Sequence, residues 1–182
     1  MTINTKIISI ALLLFSVNSL AAIASNQQGT NANDGIQESN LKLGLAWYRE
    51  NPPKYETHLL QGTFEFMLKD RIGVRGSAGV PLSKVITNME YYPFSLGAAF
   101  HLFPRFWFDI YLGAESGFVY LKSSTLSQNW SPKITAFTGI TLYYWGIFFV
   151  EGEVGYSVIQ YAKDIPLDLS APTYRIRMGF YF

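Results

Sequence analysis

Two pairs of like charges recur at a spacing of two residues: Glu151 with Glu153, and Arg175 with Arg177. That spacing puts both side chains of a pair on one face of a β-strand. Paired carboxylates are the machinery of glycoside hydrolysis, where two acids flank a scissile bond. Here both glutamates sit on one strand with no cleft for a sugar, and each can answer an arginine. Lys42, Glu65, Arg75, Asp109 and Glu115 are the remaining members of the set. Five acids and four bases nearly cancel. Buried charges must be paired, so the set is predicted to form an interior salt-bridge network. A narrow ion path is the functional alternative.

No other constellation carries chemistry. His58 precedes Leu59-Leu60 and His101 precedes Leu102-Phe103, so the His–x–Ser spacing of lipid A deacylase barrels is missing. The His, Asp and Ser set of the outer-membrane palmitoyltransferases is not found. Both histidines read as filler, His58 outward and His101 inward. With 0 Cys there is no disulfide framework and no thiolate metal site. There is no phosphate loop, no dinucleotide fingerprint and no metal-ligand spacing. No catalytic residue, metal or cofactor is expected. The chain reads as a non-enzyme.

The composition sets the frame for these charges. Of 182 residues 15% are charged, 49% hydrophobic and 16% aromatic. Soluble domains are about a quarter charged. So apolar a chain is not disordered. A formal net charge of +1 gives no electrostatic case for nucleic acid.

The elements that position the charges alternate with period two. In Phe106-Trp107-Phe108-Asp109-Ile110-Tyr111-Leu112-Gly113-Ala114-Glu115 one parity is apolar and the other mixed and polar. Eight such strands are predicted: 41–48, 58–68, 72–80, 91–102, 106–120, 134–144, 147–158 and 173–182. Their apolar parity contains no charged residue. The opposite parity holds the charges above and many glycines, among them Gly44, Gly73, Gly97, Gly113, Gly139, Gly155 and Gly179.

Which parity faces inward decides the compartment. A secreted lipocalin-like barrel would put the apolar face inside. That face is too continuous and too aromatic for an eight-stranded interior, and the other parity has too few Lys and Glu for a solvated surface. The reverse works. A lipid-facing band must be free of charge, backbone groups in lipid must all be paired, and an eight-stranded lumen just holds its side chains. The links agree: Lys69-Asp70-Arg71, Phe103-Pro104-Arg105 and Trp145-Gly146 are short. The four links 49–57, 81–90, 121–133 and 159–172 are longer. Outer-membrane barrels alternate short periplasmic turns with longer outer loops. Aromatics gather near strand ends, at Trp47, Tyr48, Tyr91, Tyr92, Phe103, Phe106 and 143–145, as interface girdles do. Pro93 is out of place in a closed sheet and is expected at a bulge near the outer end of the fourth strand.

Residues 1–24 have the form of a secretory signal peptide. Lys6 opens it, an apolar run follows over 7–17, and Ala22-Ile23-Ala24 is a cleavage site. The run is shorter than the about 20 residues a membrane helix needs. A membrane-anchored N-terminus is the alternative. Residues 25–40 are polar and read as a flexible periplasmic leader. Residues 41–182 form the barrel.

The chain stops at Arg175-Ile176-Arg177-Met178-Gly179-Phe180-Tyr181-Phe182. This ending resembles the C-terminal signal of bacterial outer-membrane barrels. Its outward residues Tyr174, Ile176, Met178, Phe180 and Phe182 stand where that family's assembly signal stands. With the signal peptide and eight strands, the chain is similar to the small barrels of the OmpA transmembrane domain and OmpX kind. The resemblance implies an all-β, eight-stranded antiparallel up-and-down transmembrane barrel with a polar interior and a lipid-facing exterior. It also implies the bacterial outer membrane, both mature termini in the periplasm, and outer-membrane lipid with the export and barrel-assembly machinery as partners. The expected role is structural, or the presentation of loops to an unknown extracellular ligand. Candidates there are Asn51-Pro52-Pro53 and Ser123-Ser124-Thr125. A narrow solute pore is the second reading and a lipid-modifying enzyme a distant third.

Overall fold

The computed structural model describes residues 41–51, 56–69, 71–82, 89–104, 106–123, 129–145, 147–159 and 170–182. The expectations for 1–24 and 25–40, and for most of the loop residues, lie outside these. Eight strands run in order: β1 (Leu41–Glu50), β2 (Thr57–Lys69), β3 (Ile72–Pro81), β4 (Met89–His101), β5 (Phe108–Ser123), β6 (Asn129–Tyr144), β7 (Phe148–Ile159) and β8 (Ala171–Tyr181). Each pairs antiparallel with its chain neighbours, and β1 pairs β8, closing the barrel. Gly44 opposite Gly179 sits at that seam. A Cβ at Gly179 would collide with the Leu43 carbonyl, so the seam needs a residue without one.

The predicted alternation sets the two faces. Leu45, Leu96, Leu112, Phe118, Ile134, Ile140, Val154, Ile176 and Met178 are exposed on the outward face. Glu65, Arg75, Asp109, Glu115, Glu151, Glu153, Arg175 and Arg177 are all buried inside. Polar-in and apolar-out is therefore the observed arrangement, the reverse of a soluble barrel.

Three expectations need correction. First, β5 begins at Phe108 rather than at 106, because the Phe106 amide donates to the Phe103 carbonyl (3.1 Å) and closes a turn. The link between β4 and β5 thus spans 102–107. Second, β6 begins at Asn129 rather than 134, since Leu121–Asn129 and Tyr120–Trp130 still pair. The β5–β6 link shrinks to 124–128, so the short–long alternation of links fails at this point. These two strands, at 16 residues each, make one side of the wall taller than the 10-residue β1 and β3. Third, Pro93 occupies no bulge: Tyr92–Tyr120, Pro93–Val119 and Phe94–Phe118 run in register.

Pro93 is tolerated for another reason. The β3–β4 ladder ends at the Ala78–Phe94 rung, so beyond it no β3 carbonyl asks for the missing N–H. Pro132 follows the same rule, one residue outside the first β6–β7 rung at Lys133–Ile159. Pro81 pairs with Leu59 of β2 but lies past the end of the β3–β4 ladder. Pro172 precedes the first β8–β1 rung at Thr173–Glu50. Each strand proline marks where one flank of the sheet stops.

Candidate functional site: the charged barrel interior

Two registers bring the predicted pairs together. Glu151 lies opposite Arg177 and Glu153 opposite Arg175 across β7 and β8. Glu65 lies between Lys42 on β1 and Arg75 on β3. The inward face of β3, β4 and β5 carries a cluster of small residues: Gly73, Ser77, Gly79, Ser95, Gly97, Gly113 and Gly117. A Cβ at Gly113 would press on the Phe137 ring, and one at Gly97 on the Glu115 side chain. The small wall therefore gives the arginines room to reach across the lumen.

The middle of the lumen holds a closed ring of four charges. Arg75 Nε lies 3.0 Å from Glu115 Oε1, and its Nη2 lies 2.8 Å from Glu153 Oε2. Arg175 meets the same two carboxylates. Its Nη1 and Nη2 donate to Glu115 Oε1 and Oε2 (2.9 and 3.3 Å), and Nη1 is 3.1 Å from Glu153 Oε1. This two-pronged contact uses the planar fork that only arginine offers. Ser95 and Tyr111 add hydroxyl donors to Glu115 (2.7 Å) and Glu153 (3.2 Å). The Arg75 guanidinium also stands 4.3 Å over the Phe137 ring. Although Arg75 faces Glu65 in register, it turns to the acids of β5 and β7.

A second group lies toward the termini end. Arg177 Nη2 bridges Glu65 Oε2 (3.1 Å) and Glu151 Oε2. Lys42 Nζ lies 3.1 Å from Glu65 Oε1. His101 stands between two carboxylates, with Nε2 3.0 Å from Glu65 Oε1 and Nδ1 against Asp109 Oδ2. The Phe103 amide donates to the other oxygen of Asp109 (2.9 Å). Arg75 Nη2, 3.8 Å from Glu151, joins the two groups. His101 has the predicted inward position, but it belongs to the network rather than filling space. The other histidine points outward: His58 Nε2 is 2.9 Å from Glu56, which also meets Arg49 Nε (2.8 Å), and its ring lies 5.5 Å from that of Trp47.

A third group was not foreseen. Near the long-loop end Lys133 Nζ contacts Glu50 Oε1, and Tyr48 and Tyr91 donate to the two oxygens of Glu50. Lys133 Nζ also donates to the Tyr48 hydroxyl (3.0 Å). Both charges fell in predicted links, 49–57 and 121–133: Arg49 breaks the outward apolar pattern beside Glu50, and Pro132 reads as a strand breaker beside Lys133. The signal was present: Glu50 continues the even inward parity of Lys42, and Lys133 the odd parity of β6. Inward apolar residues were missed as well. Leu59, Val119, Leu121, Ile159 and Ala171 are buried at the long-loop end, and Phe137 and Phe149 further down.

With Glu50 and Lys133 the described interior holds six carboxylates and five permanent cations, and His101 touches two of the acids. Such an arrangement favours one strand register, because a one-residue slip of any strand would throw that strand's charges outward. A groove of about 740 Å³ does not touch the carboxylates. It is lined mostly by outward residues, including Phe64, Ala78, Phe94, Leu96 and Phe118. The predicted assembly-signal residues Tyr174, Ile176, Met178, Phe180 and Phe182 are all exposed on the outward side of β8 or at its end.

The N-terminal β-barrel domain of Pseudomonas aeruginosa OprF superposes with a TM-score of 0.58 at 16% identity, over 80% of this chain and 100% of that one. OprG from the same organism gives 0.60 at 13% identity, over 79% and 96%. Neisserial surface protein A gives 0.57 at 12% identity, over 81% and 98%. The chain has the fold of the small eight-stranded outer-membrane barrels. No protein-family model matches it. No curated protein matches it in sequence either.

Proposed function

We propose that the chain is a non-enzymatic integral protein of the bacterial outer membrane whose lumen is filled by its own ion pairs. One observation carries the reading. Every described charge of the wall's middle lies inside, and the outward belt is apolar, with Leu45, Leu96, Leu112, Ile134, Ile140 and Ile176 exposed. Arg or Lys on a lipid face costs about 2–4 kcal/mol at the midplane, and the outward belt bears none there. The fold shared with OprF, OprG and Neisserial surface protein A supports the same compartment. Both termini then lie in the periplasm, behind the signal peptide of 1–24 and the leader of 25–40. The last strand, with Phe182 at its end, is read by the barrel-assembly machinery.

The lumen leaves no path for solute in this reading. The ring of Arg75, Glu115, Arg175 and Glu153 spans it, and Leu59, Val119 and Ile159 are buried at the long-loop end, Ile159 opposite Lys133 and Leu59 opposite Tyr48. The remaining roles are mechanical support of the envelope and display of the four loops to an extracellular ligand. Fractionation of a Gram-negative host expressing the full chain tests the compartment. The folded protein should sediment with the outer membrane and run at a heat-shifted gel mobility. Recovery as a folded, soluble periplasmic protein would overturn the proposal.

A further inference from the structure

The interior charges do not cancel until His101 is counted. Among the described residues the buried acids are Glu50, Glu65, Asp109, Glu115, Glu151 and Glu153, and the buried permanent cations are Lys42, Arg75, Lys133, Arg175 and Arg177. One acid therefore lacks a cation, and contacts identify it as Asp109. It is wholly buried and accepts the Phe103 amide (2.9 Å). Among the described residues the one base it meets is His101. A buried carboxylate without a cation is costly.

The imidazole is placed to supply that charge. His101 is the last residue of β4 and is itself buried. Its Nδ1 lies against Asp109 Oδ2 on β5. Its Nε2 reaches past β3 to Glu65 on β2, 3.0 Å from Oε1. The strand between is open at Gly73, where a Cβ would stand 3.2 Å from Nε2. A neutral imidazole has one N–H and one lone pair. Between two carboxylates it would set that lone pair against an anionic oxygen. With both nitrogens protonated, both contacts attract.

The other elements around the ring carry their own charged and titratable groups. Lys42 on β1 shares Glu65 Oε1 (3.1 Å), and its Nζ stands 5.2 Å from the ring of Tyr143 on β6. Arg177 on β8 lies 3.1 Å from Glu65 Oε2 and joins it to Glu151 on β7. Tyr111 on β5 packs its ring 5.5 Å from the imidazole. The Arg71 carbonyl accepts the His101 amide (2.8 Å), while the Arg71 side chain is exposed. Lys42 and Arg177 repel a charge on His101, but both are spent on Glu65. Asp109 is not.

We propose that His101 is a pH latch at the termini end of the lumen. Doubly protonated, it ties β4 to Asp109 on the next strand and to Glu65 two strands away, and it completes the charge balance of the interior. When the pH rises and one proton leaves, the Glu65 contact turns repulsive, Asp109 keeps at most a neutral donor, and this end of the network loosens.

Nitrogen NMR of the imidazole tests this. The chain has 2 histidines, so His58→Gln leaves His101 as the sole nitrogen-labelled histidine. That full chain is folded in phosphocholine micelles, with heat-shifted mobility as the check on folding. At about pH 8, where histidine in an unfolded chain is neutral, both ring nitrogens should still carry protons and give imidazolium shifts. One bare nitrogen at that pH would overturn the latch. A protonated carboxyl on Asp109 or Glu65, seen in the side-chain carbon shifts, would overturn it too, because the acid would then balance the charge. Urea unfolding separates a latch from a fixed charge. The folded-to-unfolded ratio should fall between about pH 7 and about pH 9, by no more than about tenfold per pH unit. Adding His101→Gln should remove that fall, and an equal fall in the double variant would sink the proposal. If the double variant does not fold, the ring shifts decide alone.

Discussion

Arg177, in the body of the barrel, touches Glu65 and Glu151, and through them is linked to Lys42, His101 and Arg75. Lys133, near the long-loop end, meets one carboxylate, Glu50, and two tyrosine hydroxyls. Both lysine and arginine are buried, and both are neutralised. The difference is connectivity. In the first region each glutamate is held by two or more cationic partners, so removing one cation leaves several groups short. In the second the pair is nearly self-contained. A buried pair by itself is weak support for stability, whereas a broken one is costly. The two regions should therefore respond differently to the same kind of mutation.

The largest effect is expected at the network. Arg177→Ala leaves Glu65 and Glu151 each short of a partner and should cost about 3–5 kcal/mol, read by urea unfolding in vesicles. Adding Glu151→Gln should recover only part of the loss, because Glu65 still lacks its arginine. At the isolated pair, Lys133→Met should cost about 1–3 kcal/mol. Here the double change with Glu50→Gln should return stability to within about 1 kcal/mol of the starting protein. Equal recovery in both cycles would erase the distinction between network and pair.

Glycines sharpen the contrast between lumen and outer wall. A Cβ at Gly113 meets the Ala98 carbonyl and the Phe137 ring, so Gly113→Ala should cost about 1–3 kcal/mol through overpacking. A Cβ at Gly152, on the outward face, meets nothing within 4 Å. Gly152→Ala should thus be neutral or stabilise by about 0.5–1 kcal/mol. The same unfolding measurement decides both. A loss at Gly152 as large as at Gly113 would mean that something packs against the outer wall there.

The pattern of the chain carried most of this architecture. Period-two alternation placed all eight strands, and charge parity placed Glu65, Arg75, Asp109, Glu115, Glu151, Glu153, Arg175 and Arg177 inside. The up-and-down order set β7 beside β8, and with it Glu151 and Glu153 beside Arg175 and Arg177. What could not be read were the strand ends. Near the rim outward residues cease to be uniformly apolar: Arg49, Glu90 and Lys122 appear there. Beside Arg49, Glu50 looked like a loop residue, and beside Pro132 so did Lys133. At the other rim the reverse error arose. Phe106 and Trp107 continue the apolar pattern, but the Phe103 carbonyl captures the Phe106 amide and ends the strand. Which acid each arginine chooses was also illegible, since it depends on which wall is small enough to reach across.

The central claim is that the interior ion pairs close the lumen, and planar-bilayer recording tests it most directly. Refolded protein of verified heat-shifted mobility should leave the bilayer silent. Arg175→Gln combined with Arg177→Gln removes two cations from the body of the barrel and should open it to measurable ion flow. Discrete openings from the unaltered protein, changed in size or selectivity by neutralising Arg177 or Glu153, would contradict the account and make the same charges the lining of a pore.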